Sequence, residues 1–167
     1  MKNSTPSVDS ASLQQSISLD EKDLAILRLL QENARITVKE IADQIHLSTT
    51  PVHERIKRLE AGGVIKQYAT LIDGTKVKKG LMVICYVSLN QHSKQSGGQF
   101  IKLINALPDV VECYSISGEF DFMLKIVTED MNSYYNFHVN KLSQADNISQ
   151  VQSVFIMGVV KQTHLIV

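Results

Sequence analysis

The sequence predicts an α+β protein in which an N-terminal winged helix-turn-helix domain precedes a C-terminal ferredoxin-like βαββαβ domain. Three observations lead to this fold class. Three short helical patterns, each opened by a capping signal, lie close together between Asp20 and Ala61. A β-prone run follows them, at the position of the wing in winged helix-turn-helix domains. From Leu81 onward, strand and helix patterns succeed one another in the order βαββαβ.

The first helical pattern begins at Asp20, which suits an N-cap because a second carboxylate stands at Asp23. Its apolar stripe is Leu24, Leu27 and Leu30. A Thr-x-x-Glu capping box, formed by Thr37 and Glu40, opens the second helix. The apolar positions of that helix are Val38, Ile41, Ala42 and Ile45. Residues 1–17, which precede both helices, are rich in Ser and Gln, and we predict a flexible tail there.

A third helix is predicted to start at Ser48, because serine suits an N-cap and Pro51 is tolerated in a first helical turn. The pair Gly62-Gly63 is expected to end this helix. The run Val64–Ile72 is β-prone and is assigned to the wing.

These elements place the winged helix-turn-helix domain at residues 18–72, a polar and basic hinge at 73–80, and a second domain at 81–167. The predicted strands of the second domain are Leu81–Leu89, Val110–Ile116, Asp121–Val127 and Val151–Val160. A polar loop at Asn90–Gly98 precedes a helix with the apolar positions Phe100, Leu103, Ile104 and Leu107. Asp130 is expected to cap the last helix, with the inward positions Met131, Tyr135, His138 and Leu142.

The third helix has two chemically different faces. Val52, Ile56 and Leu59 share one face and are predicted to pack on the first two helices. The opposite face suits DNA, because lysine can donate to guanine, glutamate can accept from cytosine and a threonine methyl can contact thymine. The candidate DNA-binding residues are Ser48, Thr49, Thr50, His53, Glu54, Lys57 and Arg58. A mixed-charge surface helix is the alternative for such a face in isolation; the neighbouring short helix and wing favour DNA binding.

The distribution of charge supports the same interpretation. The whole chain is balanced, with 17 basic and 17 acidic residues. Residues 55–79, however, hold seven basic and two acidic side chains. A local excess of this kind gives a positive patch on a neutral protein, although a solvated face can have the same composition.

Several motifs occur together in this sequence. In the first domain they are Leu19-Asp20-x-x-Asp23-x-x-Ile26-Leu27, Asn33-Ala34-Arg35 and Leu47-Ser48-x-x-Pro51-Val52-x-x-Arg55-Ile56-x-x-Leu59-Glu60-x-x-Gly63-Val64-Ile65. In the second domain, Ser117-Gly118-Glu119-Phe120-Asp121-Phe122 contains a Gly-x-x-Asp pattern. Together the motifs resemble the Lrp/AsnC family of feast-or-famine regulators. The resemblance extends from about Ile17 to Gln162.

The resemblance implies a transcriptional regulator that binds double-stranded DNA and responds to a small effector, an amino acid. It also implies a homodimer that assembles into a higher oligomer, such as an octamer, with the effector between dimers. Backbone amides near Gly118 suit a carboxylate, and Asp121 suits an ammonium group or the ordering of the loop. The candidate effector-binding residues are Ser117, Gly118, Glu119, Phe120, Asp121, Met131 and Phe155. A plain hairpin turn with Gly118 at positive φ is the alternative.

Strand patterning predicts a dimer without help from the resemblance. In a βαββαβ fold both helices cover one face of the sheet. The predicted first strand is nevertheless apolar on both sides, with Leu81, Val83, Cys85, Val87 and Leu89 opposite Met82, Ile84 and Tyr86. Soluble monomers rarely expose an apolar surface of this extent. We therefore expect the same face of a second copy to cover it.

The remaining signals argue against catalysis. The histidines lack metal-ligand spacing, and neither a glycine-rich phosphate loop nor a nucleophile elbow occurs, so no metal or cofactor is expected. Cys85 and Cys113 are expected to be reduced core thiols in a cytoplasmic protein, and no apolar run has the length of a membrane span. The alternative is an enzyme or metabolite-binding module with a vestigial helix-turn-helix, since sirohaem decarboxylases resemble the same two-domain family. That chemistry needs His and Arg clustered in the second half, and no arginine follows Arg58.

Overall fold

A computed structural model describes residues 17–91 and 93–167 of the chain. Contacts within it form two compact units. The first unit comprises residues 17–70 together with Thr163–Val167, and the second comprises Leu71–Gln162. Most of the tail predicted at the N-terminus lies outside the described residues.

The contacts group residues 71–80 with the second unit and the C-terminal residues with the first. A 3-10 helix over Gly74–Val77 occupies part of the segment in which the sequence predicts a hinge. The hinge at 73–80 stays a prediction.

The first unit contains the three helices α1 (Glu21–Glu32), α2 (Val38–Ile45) and α3 (Thr49–Ala61). The predicted caps of α1 and α2 are confirmed. The Asp23 amide donates to the Asp20 carboxylate at 2.8 Å, and the Glu40 amide donates to the Thr37 hydroxyl at 3.2 Å. Ser48 occupies the N-cap of α3 but makes no side-chain cap bond.

The apolar faces of the three helices meet in one core. Its buried members are Ile26, Leu27, Ile41, Ala42, Ile45, Val52, Ile56 and Leu59. The predicted inner face of α3 is confirmed. The predicted stripe of α1 packs on this core, with Leu27 buried and Leu24 and Leu30 half-buried. The face that turns inward on α1 carries Asp23, Ile26 and Leu27, which share one side of the helix.

The wing strand predicted at Val64–Ile72 is not formed. The described strands all belong to one sheet, and none of them pairs with this segment. A strand is stabilised by hydrogen bonds and packing against a neighbour, so β propensity alone does not produce one. The segment instead follows α3 as irregular chain. The amides of Val64 and Ile65 donate to the Leu59 carbonyl, and the Tyr68 hydroxyl donates to Glu60 at 2.9 Å.

The second unit is built on a four-stranded antiparallel sheet in the order β2-β3-β1-β4. Its strands are β1 (Leu81–Leu89), β2 (Val110–Ser115), β3 (Phe122–Thr128) and β4 (Ile148–Phe155). Helix α4 (Lys94–Asn105) connects β1 to β2. Helix α5 (Met131–Phe137), continued by a π-helical turn over His138–Leu142, connects β3 to β4. This arrangement confirms the ferredoxin-like βαββαβ prediction.

The polar loop predicted at Asn90–Gly98 is wrong over its second half. Helix α4 begins at Lys94, because Ser93 caps it by accepting a hydrogen bond from the Ser96 amide at 3.1 Å. The cap stabilises the start of a helix in which Gly97 and Gly98 have low helix propensity.

Two further predictions about the second unit are wrong. Strand β4 ends at Phe155 rather than at Val160. On α5, Met131 and Tyr135 were predicted to face inward, but they are 55% and 66% exposed. The buried residues of this region are Tyr134, Phe137 and Leu142, a spacing that the π-helical turn makes possible.

One face of the sheet forms the core of the second unit, and alternate residues of β1 from Val83 to Leu89 are buried there. The opposite face, which we call the open sheet face, is only half-buried or exposed. By register and alternation its apolar residues are Met82, Ile84, Tyr86, Tyr114, Met123, Val127 and Val154. It also carries an ion pair between Lys125 and Glu112 at 2.8 Å.

Candidate DNA-binding face and effector loop

Helix α3 is held by its apolar residues so that its other face lies at the surface. Val52, Ile56 and Leu59 are at most 9% exposed. All seven predicted DNA-binding residues are exposed: Ser48, Thr49, Thr50, His53, Glu54, Lys57 and Arg58. The turn before α3 is tight, with His46 in the left-handed conformation at φ 56°. A short helix, a tight turn and an exposed second helix form the geometry that places a recognition helix in the major groove.

A buried carboxylate joins α1 to α3. Asp23 has no exposed side-chain surface, and its Oδ1 accepts a hydrogen bond from Arg55 Nη1 at 2.7 Å. Its Oδ2 accepts from Arg58 Nη2 at 2.5 Å. Arg55 Nη1 also donates to Asp20 Oδ2 at 2.6 Å. We call these four residues the Asp–Arg cluster.

The cluster favours the charged forms of Asp20 and Arg55. Hydrogen bonds from the Asp23 amide and from Arg55 lower the pKa of the Asp20 carboxyl. Hydrogen bonds to Asp23 and Asp20 raise the pKa of the Arg55 guanidinium. Sequence reasoning treated the two aspartates only as helix-cap residues and gave Arg55 no role. The signal that was available is the spacing of two carboxylates on one helix and two guanidinium groups on another, each pair at i and i+3.

The predicted effector loop lies between β2 and β3, and its exit is bound to the end of β1. The Leu89 amide donates to Asp121 Oδ2 at 2.8 Å, and the Asp121 amide donates to the Val87 carbonyl at 2.9 Å. Gly118 has φ 122°, a conformation that favours glycine. Phe120 packs against Tyr86 on the open sheet face, with ring centroids 5.4 Å apart. Ser117, Gly118 and Glu119 remain exposed.

The structure does not bring Met131 and Phe155 to this loop within one chain. The loop precedes Phe122 at the start of β3, whereas Met131 follows Thr128 at its end. Seven strand residues span about 20 Å. Phe155 pairs with Val83 near the start of β1, whereas the loop is bound to the end of that strand, and its ring contacts Tyr134 at 5.3 Å. Within one chain these residues therefore do not line one pocket. The resemblance places the effector between dimers, and a site that combines them there stays a prediction.

Two family models match the chain. Residues 82–166 match the Lrp/AsnC ligand binding domain, and residues 19–66 match a winged helix-turn-helix DNA-binding domain. The chain belongs to the Lrp/AsnC family. Among curated relatives, the transcriptional regulator AzlB of Bacillus subtilis is 38% identical to this Lrp/AsnC protein over 147 residues, which cover 88% of the chain and 94% of AzlB.

Solved structures of Lrp/AsnC proteins share the fold. A transcriptional regulator from Neisseria meningitidis in complex with L-Met has a TM-score of 0.84 at 33% identity, covering 88% of this chain and 95% of that one. An AsnC family regulator from Agrobacterium tumefaciens has the same TM-score and identity, with coverages of 89% and 96%. The predicted family and fold class are confirmed, and this Lrp/AsnC protein is a DNA-binding transcription regulator. No helix in the described ranges has the length and apolar character needed to cross a membrane.

A polar cleft of this Lrp/AsnC protein, missed by sequence reasoning, lies at the end of β1 that also binds the effector loop. It has a volume of about 340 Å3 and is lined by Asn90, Gln91, Ser93, Gln95, Ser96, Gln99, Asp146 and Asn147. The Asn90 amide donates to the Asn147 carbonyl at 2.9 Å, which joins the two walls. The signal in the sequence is the run of Asn, Gln and Ser after β1, which had been assigned to a loop.

The cysteines differ in their environments. Cys85 is buried, and its Sγ lies 3.0 Å from the Tyr134 hydroxyl, which is 2.6 Å from Ser153 Oγ. Burial raises the pKa of the Cys85 thiol. The core-thiol interpretation is wrong for Cys113, which is exposed on the edge strand β2. His138 is half-buried and contacts Ser143 at 3.1 Å, and within the described ranges no group of three or more potential metal ligands occurs.

Proposed function

We propose that this Lrp/AsnC regulator recognises its DNA site through the exposed face of α3. The observation that carries the proposal is the orientation of α3, which exposes Thr50, Glu54 and Lys57. In the major groove these side chains suit thymine, cytosine and guanine respectively. Ser48, Thr49 and His53 extend the same exposed face toward the start of the helix, and we include them as further DNA contacts.

The active form is proposed to be a homodimer joined through the open sheet face. Seven apolar side chains on one side of a sheet are costly to leave in water, and a second copy of the same face covers them with aligned strands. A two-fold dimer also presents two recognition helices, which suits a DNA site with two related halves. Assembly of such dimers into an octamer follows from the family resemblance alone.

The effector is proposed to be an amino acid bound at the loop from Ser117 to Asp121. The loop combines backbone amides near Gly118, which suit a carboxylate, with an apolar contact surface at Phe120. Asp121 is assigned an orienting role, because its carboxylate is bound to the Leu89 amide. The solved Neisseria relative is a complex with L-Met, and a Rhizobium meliloti relative is named a leucine-responsive regulatory protein. Met131 and Phe155 of the same chain are left out of the proposed site.

The regulator is further proposed to act in the cytoplasm, where its DNA lies, and to catalyse no reaction. Its family consists of DNA-binding transcription regulators. The competing function is an enzyme or metabolite-binding module that has lost DNA binding. Sequence-specific DNA binding by the purified chain separates the two functions.

Repeated selection from a pool of random-sequence duplexes tests the DNA proposal. The full chain is expected to enrich a two-fold-symmetric sequence whose halves lie about one helical turn, or a multiple of it, apart. A pool that stays random contradicts sequence-specific recognition. The affinity for the selected duplex is then measured with each of the twenty amino acids. If the chain enriches a DNA sequence but its affinity for that duplex is the same with every amino acid, only the effector proposal is contradicted.

A further inference from the structure

The two arginines of the Asp–Arg cluster share a partner but differ in their surroundings. Arg55 binds both Asp20 and Asp23, and 26% of its side chain is exposed. Among the described residues, the Arg58 side chain binds only Asp23, and 49% of it is exposed. They lie one turn apart on α3, so both reach α1 from the same side of the helix. Arg55 is enclosed between the helices, whereas Arg58 extends from the cluster into solvent.

In the pair formed by Asp23 and Arg58, the negative charge lies in the interior and the positive charge lies at the surface. The Asp23 carboxylate is fully buried and binds Nη2 of Arg58. A guanidinium group has five N–H donors in one plane, so binding through one nitrogen leaves donors for a second acceptor. The exposed end of this pair is therefore positive and has a fixed orientation. The planar arrangement of these donors matches the oxygens of a phosphate group.

We propose that Arg58 contacts a DNA backbone phosphate and that Asp23 is the positioning residue that holds its guanidinium for this contact. A side chain that is already ordered loses less conformational entropy when DNA binds than a free one does. Phosphate contacts fix the register of a protein on DNA but carry no sequence information. Arg58 thus differs in role from the base-reading residues with which the sequence analysis grouped it. The inference rests on the proposed DNA face of α3.

The role of Arg58 is tested by affinity measurements over a range of salt concentrations. The probes are the duplex selected by the wild-type chain and a shuffled version of it. Arg58→Gln is expected to weaken binding to both duplexes by the same factor, about tenfold. The slope of log affinity against log salt is expected to become shallower by about one. A loss confined to the selected duplex, or an unchanged slope, overturns the proposal.

Arg55→Gln is the matched control, because it removes the same charge from the same cluster at the enclosed position. It is expected to lower the melting temperature and to leave the salt slope of the folded protein unchanged. A slope that becomes shallower in Arg55→Gln as much as in Arg58→Gln contradicts the distinction between the two arginines.

The role of Asp23 is tested by combining variants. Asp23→Asn is measured well below its melting temperature. It is expected to lower the affinity of the otherwise wild-type chain for both duplexes and to cause no further loss of affinity when combined with Arg58→Gln. Equal effects in both backgrounds overturn the positioning role. If Asp23→Asn does not fold, Arg58→Lys decides the question, because lysine keeps the charge but lacks the planar donors. Arg58→Lys is expected to keep the slope of log affinity against log salt and to lower the affinity for both duplexes. An affinity equal to that of the wild-type chain overturns the positioning role.

Lys57→Ala on the same duplexes separates this inference from the proposed function. If neither Lys57→Ala nor Arg58→Gln alters binding, the proposed DNA face of α3 is wrong. If Lys57→Ala weakens binding to the selected duplex while Arg58→Gln does not alter binding, only the inference about Arg58 and Asp23 fails.

Discussion

Asp121 and Leu89 are joined by a hydrogen bond of 2.8 Å, in which the Leu89 amide donates to Asp121 Oδ2. The amide of Asp121 donates in turn to the Val87 carbonyl at 2.9 Å. Both bonds connect the residue just before β3 to the last residues of β1. The carboxylate therefore holds the C-terminal end of the loop that contains Gly118 against β1.

Replacing Asp121 distinguishes loop ordering from direct effector binding. Asp121→Ala is expected to lower the free energy of unfolding by about 1–3 kcal/mol, because the Leu89 amide loses its acceptor. Asp121→Asn keeps an acceptor oxygen and is expected to cost less. We expect the alanine variant to lose the amino-acid-dependent rise in melting temperature and the asparagine variant to keep it. A stable asparagine variant without that rise indicates instead that the charge of Asp121 contacts the ligand.

The sequence was most informative where structure depends on neighbours along the chain. The Thr37–Glu40 capping box and the inner face of α3 follow from spacings of three or four residues, and both appear as predicted. The Asp–Arg cluster joins residues 32 and 35 positions apart, so the spacing within each helix does not show that the two pairs meet. Arg58 was accordingly placed on the DNA face by its helical position alone, without the carboxylate that binds it.

The candidate effector residues were the least predictable part. Gly118 and Asp121 were predicted together because they lie three residues apart in one loop. Met131 and Phe155 were predicted as apolar lining of the effector site, but within one chain the register places them toward the other end of the sheet. Which end of the sheet a residue of β4 occupies depends on strand pairing, which the sequence pattern does not specify. The polar cleft beside Asn90 was missed for the same reason.

Single substitutions on α3 separate base recognition from general DNA binding. Lys57→Ala and Thr50→Ala are each expected to weaken binding to the selected duplex by about 1–3 kcal/mol, the usual range for a base-reading side chain. Binding to shuffled DNA is expected to change much less. Lys102→Ala is the matched control, since Lys102 is an exposed lysine on α4 in the other unit. Equal losses on both duplexes would assign these residues to phosphate contact.

The buried hydroxyl of Tyr134 satisfies two partners at once. It lies 3.0 Å from Cys85 Sγ and 2.6 Å from Ser153 Oγ, and Tyr134 is 5% exposed. Tyr134→Phe removes one side of both bonds and is expected to lower the free energy of unfolding by about 1–3 kcal/mol. Tyr135→Phe is the neighbouring control, because Tyr135 is 66% exposed and should tolerate the change. Urea denaturation of both variants measures the difference; equal stabilities contradict the role of the buried hydroxyl.

The carboxylates at the helix caps make the free energy of unfolding depend on pH. Hydrogen bonds from the amides of Asp23 and Thr37 are the largest causes that lower the pKa of Asp20 and Glu40 in the folded chain. Such groups stabilise the folded state above their unfolded pKa and lose this contribution as pH falls through the folded pKa. The free energy of unfolding is therefore expected to decrease below about pH 4. Urea denaturation at neutral and at acid pH measures this decrease in the free energy of unfolding. The decrease is expected to be smaller in Glu40→Gln than in the wild-type chain. An equal decrease in both chains contradicts the contribution of Glu40.

The open sheet face is tested by placing a charge at its centre. Ile84 pairs with Lys125 on β3 and with Val154 on β4. Ile84→Lys adds a cation next to Lys125, which is already bound to Glu112. In a monomer the new ammonium group stays in water, whereas in a face-to-face dimer it is buried without a partner.

Light scattering at micromolar concentration is expected to show a wild-type dimer and a folded monomeric Ile84→Lys variant. Ile101→Lys, on the outer side of α4 at 39% exposure, should remain dimeric. A stable wild-type monomer, or an Ile84→Lys variant that stays dimeric, excludes this face as the dimer interface.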